Sequence, residues 1–236
     1  MAIITAPSYR GAGTFASTGT GTLTIPQPTT VGIDDILIVV ASMSNENFTT
    51  WPLAGWSDVP NPPTGFGTAG AAGGLKMHMM WKRATATTGN GITTSASPSD
   101  DYIIGQMFAI QGVARRGDPW ESTATNNNTT ASSLVTFAAQ TTLGPQRFVF
   151  QCLVGDADIA STTMVTVSTV PIAGFTERSD NWISSSSGGG LWVGTGVAPT
   201  PTTLTGTFLT LASSQVSSEW QGILRPVESY SRSIIF

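Results

Sequence analysis

Apolar and polar side chains alternate along several short stretches of this sequence, with the period of a β-strand. In residues 75–81 one face carries Leu75, Met77, Met79 and Trp81, and the other carries Lys76, His78 and Met80. The first face is expected in a core and the second mostly in solvent. Residues 36–41 and 102–110 are almost continuously apolar, which is typical of central strands covered on both faces. The pattern predicts an all-β fold.

The sequence also repeats itself. Gly32 and Gly144 end similar Thr-Thr-x-Gly motifs at an offset of 112 residues, and Pro52-Leu-Ala-Gly-Trp-Ser57 returns as Pro171-Ile-Ala-Gly-Phe-Thr176 at an offset of 119. Gly73-Gly-Leu75 returns as Gly189-Gly-Leu191 at an offset of 116, and Gln221-Gly222 weakly echoes Gly105-Gln106. Four anchors in one order at nearly constant spacing indicate an internal duplication.

The prediction is an antiparallel, jelly-roll-like β-sandwich built from two internally repeated halves, residues 1–125 and residues 126–236 with a C-terminal tail. Whether the halves form one sandwich or two stays open. The polar residues 126–133 predict a surface segment that crosses between the halves. The expected strands lie near residues 22–25, 36–43, 55–59, 75–83, 92–95 and 102–111 in the first half and near 134–138, 147–154, 174–178, 190–197, 204–211 and 217–224 in the second.

Composition narrows the choice of partners. Charged residues make up only 10% of the chain, whereas threonine and serine supply 36 and 25 residues, so the polar surface consists mainly of hydroxyl groups. A net charge of −4 argues against nucleic acid, since the basic pairs Lys82-Arg83 and Arg115-Arg116 are isolated. No apolar run is long enough for a membrane span, so we expect a soluble protein. Cys152, the only cysteine, is expected to be a small buried side chain.

Catalytic and metal-binding signatures are weak. His78 is the only histidine, and its place on the outward face of a strand predicts a plain surface side chain, since no sequence feature brings a base-orienting carboxylate to it. The aspartate pairs 34–35, 100–101 and 156/158 fall at predicted strand ends, where aspartate commonly binds turn amides. Asp156 and Asp158 are too small a fragment to define a calcium loop. We therefore expect no enzymatic activity, no cofactor and no metal.

Tryptophan offers the best candidates for contact with a partner. The chain has seven tryptophans, and Trp56 and Trp81 are expected in the core because of the repeat and of their strand face. Trp51, Trp120 and Trp182 lie in predicted loops, where an indole ring could contact another protein or stack on a glycan.

Several of these motifs together resemble a family of phage virion and prophage-encoded proteins. The resemblance is carried by Gly32 with the acidic pair and apolar strand that follow it, by Pro52–Ser57, by Met80-Trp-Lys-Arg-Ala84, by Gln111-Gly-Val113 followed by Asp118-Pro-Trp-Glu121, and by Trp220-Gln-Gly-Ile-Leu-Arg-Pro226. It covers most of residues 20–226. The second copy departs from the family pattern, because Phe175 replaces the tryptophan and the Trp-Arg-x-Ala strand end is missing.

The resemblance implies a virion component that assembles in the host cytoplasm, most simply a capsid decoration protein or another head or tail accessory protein. Its implied partners are other capsid or tail proteins, with many copies on the particle or a homo-oligomer. The apolar end of the chain, Ile234, Ile235 and Phe236, is the expected docking tail. The alternative is a tail-associated adhesin that binds host carbohydrate through Trp51, Trp120 and Trp182.

Overall fold

The structure, a computed structural model, describes residues 2–19, 22–44, 53–65, 74–87, 89, 91–95, 102–156, 165–183, 189–204 and 208–230. Within these residues the regular structure consists of strands alone. The strands are β1 (Ala2–Thr5), β2 (Ser8–Ala12), β3 (Ala16–Thr18), β4 (Thr22–Ile25), β5 (Ile36–Ser44), β6 (Ser57–Asp58), β7 (Leu75–Arg83), β8 (Ile92–Ser95), β9 (Ile103–Gln111), β10 (Trp120–Thr136), β11 (Gln140–Thr141), β12 (Arg147–Gly155), β13 (Val165–Thr169), β14 (Thr176–Trp182), β15 (Gly190–Ala198), β16 (Thr203–Leu204), β17 (Phe208–Leu224) and β18 (Val227–Tyr230).

Each half of the chain forms one six-stranded antiparallel sheet, and the two sheets have the same strand order. The first sheet has the order β2-β9-β5-β7-β6, with β3 also paired to β9. The second has the order β10-β17-β12-β15-β14, with β13 also paired to β17. The fold is therefore an all-β, internally repeated β-sandwich, as the sequence predicts.

The largest core cluster of the described residues lies between these two sheets, and its 20 buried residues come from both halves. Alternate residues of β5 point into it, among them Ile36 and Ile38, and they meet Phe148 and Phe150 of the equivalent strand β12. The rings of Phe108 and Phe150 cross this boundary edge to face, with centroids 5.5 Å apart. The two repeats thus share one continuous core.

The outer face of each main sheet is covered by a smaller layer. In the first half the pair β4–β8 buries Leu23 and Ile25 against Val39 and its neighbours on β5. In the second half the paired strands β10 and β17 fold back over their own sheet, so that Leu209 packs on Trp192. Each half is consequently a sandwich in itself, and the molecule has four layers.

Two turns show that the repeat is structural. Gly55 and Gly174 both have positive φ, of 79° and 74°, in a tight turn closed by the backbone N–H of the next residue. A side chain is disfavoured at such a φ, which explains why the Ala-Gly-aromatic motif recurs. Asp34 and Gln146, 112 residues apart, likewise both have positive φ.

Residues 126–133 lie at the surface as predicted, but they do not cross between the halves. They belong to β10, which begins at Trp120, so the predicted boundary near residue 125 falls inside a strand. The sequence pattern misses this strand because β10 is the edge of its sheet: backbone pairing with β17 holds it, and most of its side chains are exposed or half-buried. The terminal strands β1 and β18, which pair with each other, were also not predicted.

Candidate functional site

The chain passes from the first half to the second through residues 112–119, and this link pairs with the segment that joins β17 to β18. Ala114 N donates to Arg225 O at 2.9 Å, and Val227 N donates to Gly112 O at 3.0 Å. Gly112 has φ of 75°, a conformation that places the link beside the later segment. Residues far apart in the sequence therefore meet at one end of the molecule.

A cavity of about 480 Å³ lies at this meeting point, and we call it the junction pocket. It is lined by Ala114, Arg115, Arg116, Arg225, Pro226, Val227 and Glu228. Three arginines thus line a single cavity in a chain that has only ten lysines and arginines.

The three arginines of the junction pocket differ in how they are held. Arg115 pairs with Asp34 at 3.3 Å, but its side chain is 69% exposed, so the pair is weak. Arg116 and Arg225 form no ion pair with any described residue. The Nε atom of Arg225 is buried and has no hydrogen-bond acceptor in the described part of the chain. The pocket therefore carries positive charge that these contacts leave largely uncompensated.

A second cavity of about 300 Å³ adjoins the junction pocket and shares Arg115 and Val227 with it. Its wall contains a tight ion pair, in which Arg10 Nε lies 2.6 Å from Asp35 Oδ2 and the Asp35 side chain is 3% exposed. Gly32 N also donates to Asp35 Oδ2 at 2.7 Å. Here the charges neutralise each other and hold the loop before β5.

The second half contains the same ion pair with its charges exchanged. Glu121 of β10 stands where β2 has Arg10, and Arg147 of β12 stands where Asp35 precedes β5. Both Arg10 and Glu121 are the extra residue of a β-bulge, and Arg147 Nε lies 2.5 Å from Glu121 Oε2. Leu143 N donates to Glu121 Oε1 at 2.7 Å, as Gly32 N does to Asp35. One backbone arrangement thus accepts either polarity.

Trp120 is in the core, so the expectation that it lies in a loop and contacts a partner is wrong. Its side chain is 4% exposed and meets Trp220 edge to face at 5.2 Å and Trp81 at 6.2 Å. Asp118, which suggested a turn, accepts the Trp120 N–H at 3.0 Å, and the strand begins at the tryptophan itself. The three rings join the two halves.

The other predicted contact residues have different outcomes. Trp182 ends β14, is half-buried and packs its ring on the backbone of Gly190. Trp51 and the predicted docking residues Ile234, Ile235 and Phe236 lie outside the described residues. The three tryptophans therefore do not form one exposed platform, because Trp120 is buried.

His78 has a carboxylate partner to which no sequence feature pointed. Its Nε2 atom lies 2.9 Å from Asp58 Oδ1, which β6 brings alongside β7. Burial lowers the pKa of His78, and the hydrogen bond and negative charge of Asp58 only partly oppose this effect. Met80, expected mostly in solvent beside His78, is buried under the covering layer.

Only one of the three aspartate pairs lies wholly among the described residues. Asp34 and Asp35 serve the ion pairs above, whereas Asp100, Asp101 and Asp158 lie outside the described residues. No group of three or more His, Cys, Asp or Glu side chains among the described residues could hold a metal ion.

Burial raises the pKa of two groups in the second half, Cys152 and Glu219. Cys152 is fully buried as predicted, 3.3 Å from Met79 Sδ, and burial raises the pKa of its thiol well above the ordinary value. Glu219 is 1% exposed, and burial raises its pKa to about 7 although Ser217 donates to it at 2.5 Å. Its Oε2 atom has no partner among the described residues.

Comparison with known proteins adds no further assignment. No protein-family model matches the sequence, and no curated protein or solved structure is significantly similar to it. In the described residues no helix has the length and apolar character needed to cross a membrane.

Proposed function

We propose that this chain is a structural component of a bacteriophage particle, acting without catalysis as a capsid decoration protein or as another head or tail accessory protein. The resemblance of its sequence motifs to those of phage virion proteins suggests this role. The observation that supports it best in the structure is the continuous core between the two halves.

That core gives the molecule the properties of a structural part. Its 20 buried residues come from both repeats, so relative movement of the halves would expose a large apolar surface to water. The only cysteine is buried and free, so the rigidity does not depend on an oxidising environment. Such a body can fold in the host cytoplasm and keep its shape outside the cell.

The edge strand β10 is the surface that best fits attachment to a capsid or tail protein. It has no charged side chain from Ser122 to Thr136, although charged residues commonly protect edge strands from pairing. Asn61 of the first half covers its beginning by donating to Thr123 O at 3.2 Å. The exposed residues beyond this contact can accept an extended segment of a partner chain as an added strand on either side of the break in pairing between Asn128 and Ser132.

The structure favours this role over the carbohydrate-binding adhesin. A glycan platform needs exposed rings along one groove, and of its three tryptophans Trp120 is buried and Trp182 is half-buried.

Cryo-electron microscopy of intact particles, with and without the gene for this chain, tests the proposal. We expect density for the double sandwich at regular sites on the head or at a defined position on the tail, and particles without the gene should lack it. If purified particles contain none of this chain, the structural proposal is wrong. Loss of adsorption to the host together with density at the tail tip would instead establish the adhesin.

A further inference from the structure

The junction pocket has the composition of a binding site for negatively charged groups. Arginine presents a planar fork of N–H donors that matches a carboxylate in a bidentate geometry, and it stays charged at every physiological pH. Two of the three arginines in this pocket, Arg116 and Arg225, have no ion-pair partner among the described residues. Elsewhere in the same region arginines are neutralised, as Arg10 is by Asp35.

Size and lining indicate the kind of anion. A cavity of about 480 Å³ is within the range of sites for small organic ligands, which start near 300 Å³. The uncharged part of the wall comes from Ala114, Pro226 and Val227, which suits the methylene groups of acidic side chains. Glu228 also lines the pocket, so the ligand must outcompete one carboxylate with several charge-assisted contacts.

From these features we infer that the junction pocket binds a polycarboxylate through Arg116 and Arg225, with Arg115 able to exchange its exposed contact with Asp34 for the ligand. The shared chemistry is two or more carboxylates on a short carbon framework. It is supplied either by neighbouring Asp and Glu side chains of a polypeptide or by a free polycarboxylic acid. This inference goes beyond the proposed virion role and does not depend on it.

The test is a titration of the purified full chain at low salt, followed by the NMR signals of the arginine Nε–H groups. The probes are a tetraglutamate peptide capped at both ends, citrate, inorganic phosphate and a capped tetraglutamine peptide. We expect saturable shifts of arginine signals with tetraglutamate and none with tetraglutamine. Citrate binding as tightly as the peptide would identify a free polycarboxylate as the source, and binding of the peptide alone would identify a polypeptide.

Three variants make the test specific. Arg116→Gln should weaken binding about tenfold, the loss of one charge-assisted contact, and the double variant Arg116→Gln/Arg225→Gln should abolish it. Lys76→Gln makes the same charge change as Arg116→Gln at a residue that does not line the junction pocket, and it should leave binding unchanged. Because Arg116 is exposed, its single variant remains informative even if the double variant does not fold.

Several results would overturn the inference. These are equal affinity of wild type and Arg116→Gln, the same weakening by Lys76→Gln, or binding of phosphate with no binding of either carboxylate probe. Binding of tetraglutamate that shifts only signals of Arg147 and Arg178 would also refute it, because those arginines do not line the junction pocket.

Discussion

The exchanged ion pairs allow a direct test of the structural repeat. Arg10 and Asp35 in the first half correspond to Glu121 and Arg147 in the second, on the same bulge and the same strand start. We predict that Glu121→Arg and Arg147→Asp are each strongly destabilising but compensate each other when combined. The double variant gives the second half the polarity of the first, which this backbone already accommodates.

The magnitudes follow from burial. The side chains of Glu121 and Arg147 are 4% and 11% exposed, and removing one partner of a buried pair costs about 3 to 5 kcal/mol. Glu121→Arg also takes the acceptor from Leu143 N, which adds about 1 kcal/mol or more. The double exchange should bring the free energy of unfolding back to within about 2 kcal/mol of wild type. The coupling energy is then at least about 5 kcal/mol.

The assay is equilibrium unfolding in urea, which does not screen charges as guanidinium does, followed by tryptophan fluorescence. Glu121→Arg combined with Lys76→Asp is the matched control, because it has the same net charge as the exchange but places the compensating charge elsewhere. We expect no rescue in the control. If the exchange is as unstable as Glu121→Arg alone, the two ion pairs are not equivalent and the reasoning fails.

Three further predictions concern the core and the turns. The pKa of Glu219 is raised to about 7 in the folded state from an ordinary value of 4.5, so this group favours folding below pH 4.5 and the advantage is lost as pH rises to 7. The difference is on the order of 3 kcal/mol, and Glu219→Gln should remove it from urea unfolding curves recorded at pH 5 and pH 8; an unchanged pH dependence would contradict this. Cys152 should react with a thiol reagent only after unfolding, because it is fully buried and its pKa is raised well above the ordinary value; labelling of the native protein at the rate of a free thiol would show that the core opens. Gly55→Ala and Gly174→Ala should each cost about 1 kcal/mol and by equal amounts, since both have positive φ with no atom within 4 Å of the added methyl group; unequal losses of thermal stability would separate the two turns.

Strands with a buried face could be predicted from the sequence, whereas strands with mainly exposed side chains could not. The bounds predicted for residues 22–25, 75–83 and 92–95 agree with β4, β7 and β8 residue for residue. Most of the edge strand β10, from Trp120 to Ser133, escaped prediction because its Asn, Thr and Ser side chains are largely exposed and its backbone hydrogen bonds leave no signal in the sequence. Hydrophobic periodicity in a sequence shows which side chains are buried, and pairing at the edge of a sheet buries few side chains.

The motifs that indicated the repeat also differ in how well the structure confirms them. The two turn anchors are confirmed. Gly55 and Gly174 both have positive φ, and so do Asp34 and Gln146, each of which lies two positions after the glycine of a Thr-Thr-x-Gly motif. The anchor that equates Leu75 with Leu191 is wrong by two residues. Ser42 pairs with Met77, and its equivalent Val154 pairs with Leu191, so Leu191 corresponds to Met77. The weak echo between Gly105 and Gly222 fails too, because the strand registers make Glu219, and not Gly222, the equivalent of Gly105 in the second half. Turn geometry restricts sequence more tightly than glycine-rich strand starts do.

The junction pocket could not have been predicted from one local motif. Arg115-Arg116 and Arg225 are about 110 residues apart in the sequence, and each looked isolated. They meet only because the link between the halves pairs with the segment after β17, which depends on the whole topology.

Comparison of the two outer cores shows where the copies have diverged. In the first half Val39 and Met107 lie in one unbroken apolar cluster. Their register equivalents in the second half are Gln151 and Gln221, which are buried and hydrogen-bonded to each other, and the apolar residues there fall into two separate clusters. A buried polar stripe gains little net stability from its hydrogen bonds and makes any unpaired member costly. The polar pair thus divides the outer core of the second half without making it much smaller, since its two clusters hold 12 buried residues among the described ones and the single cluster of the first half holds 13. The core that the two copies share is undivided, so it is the part of the molecule that has kept its apolar character in both copies.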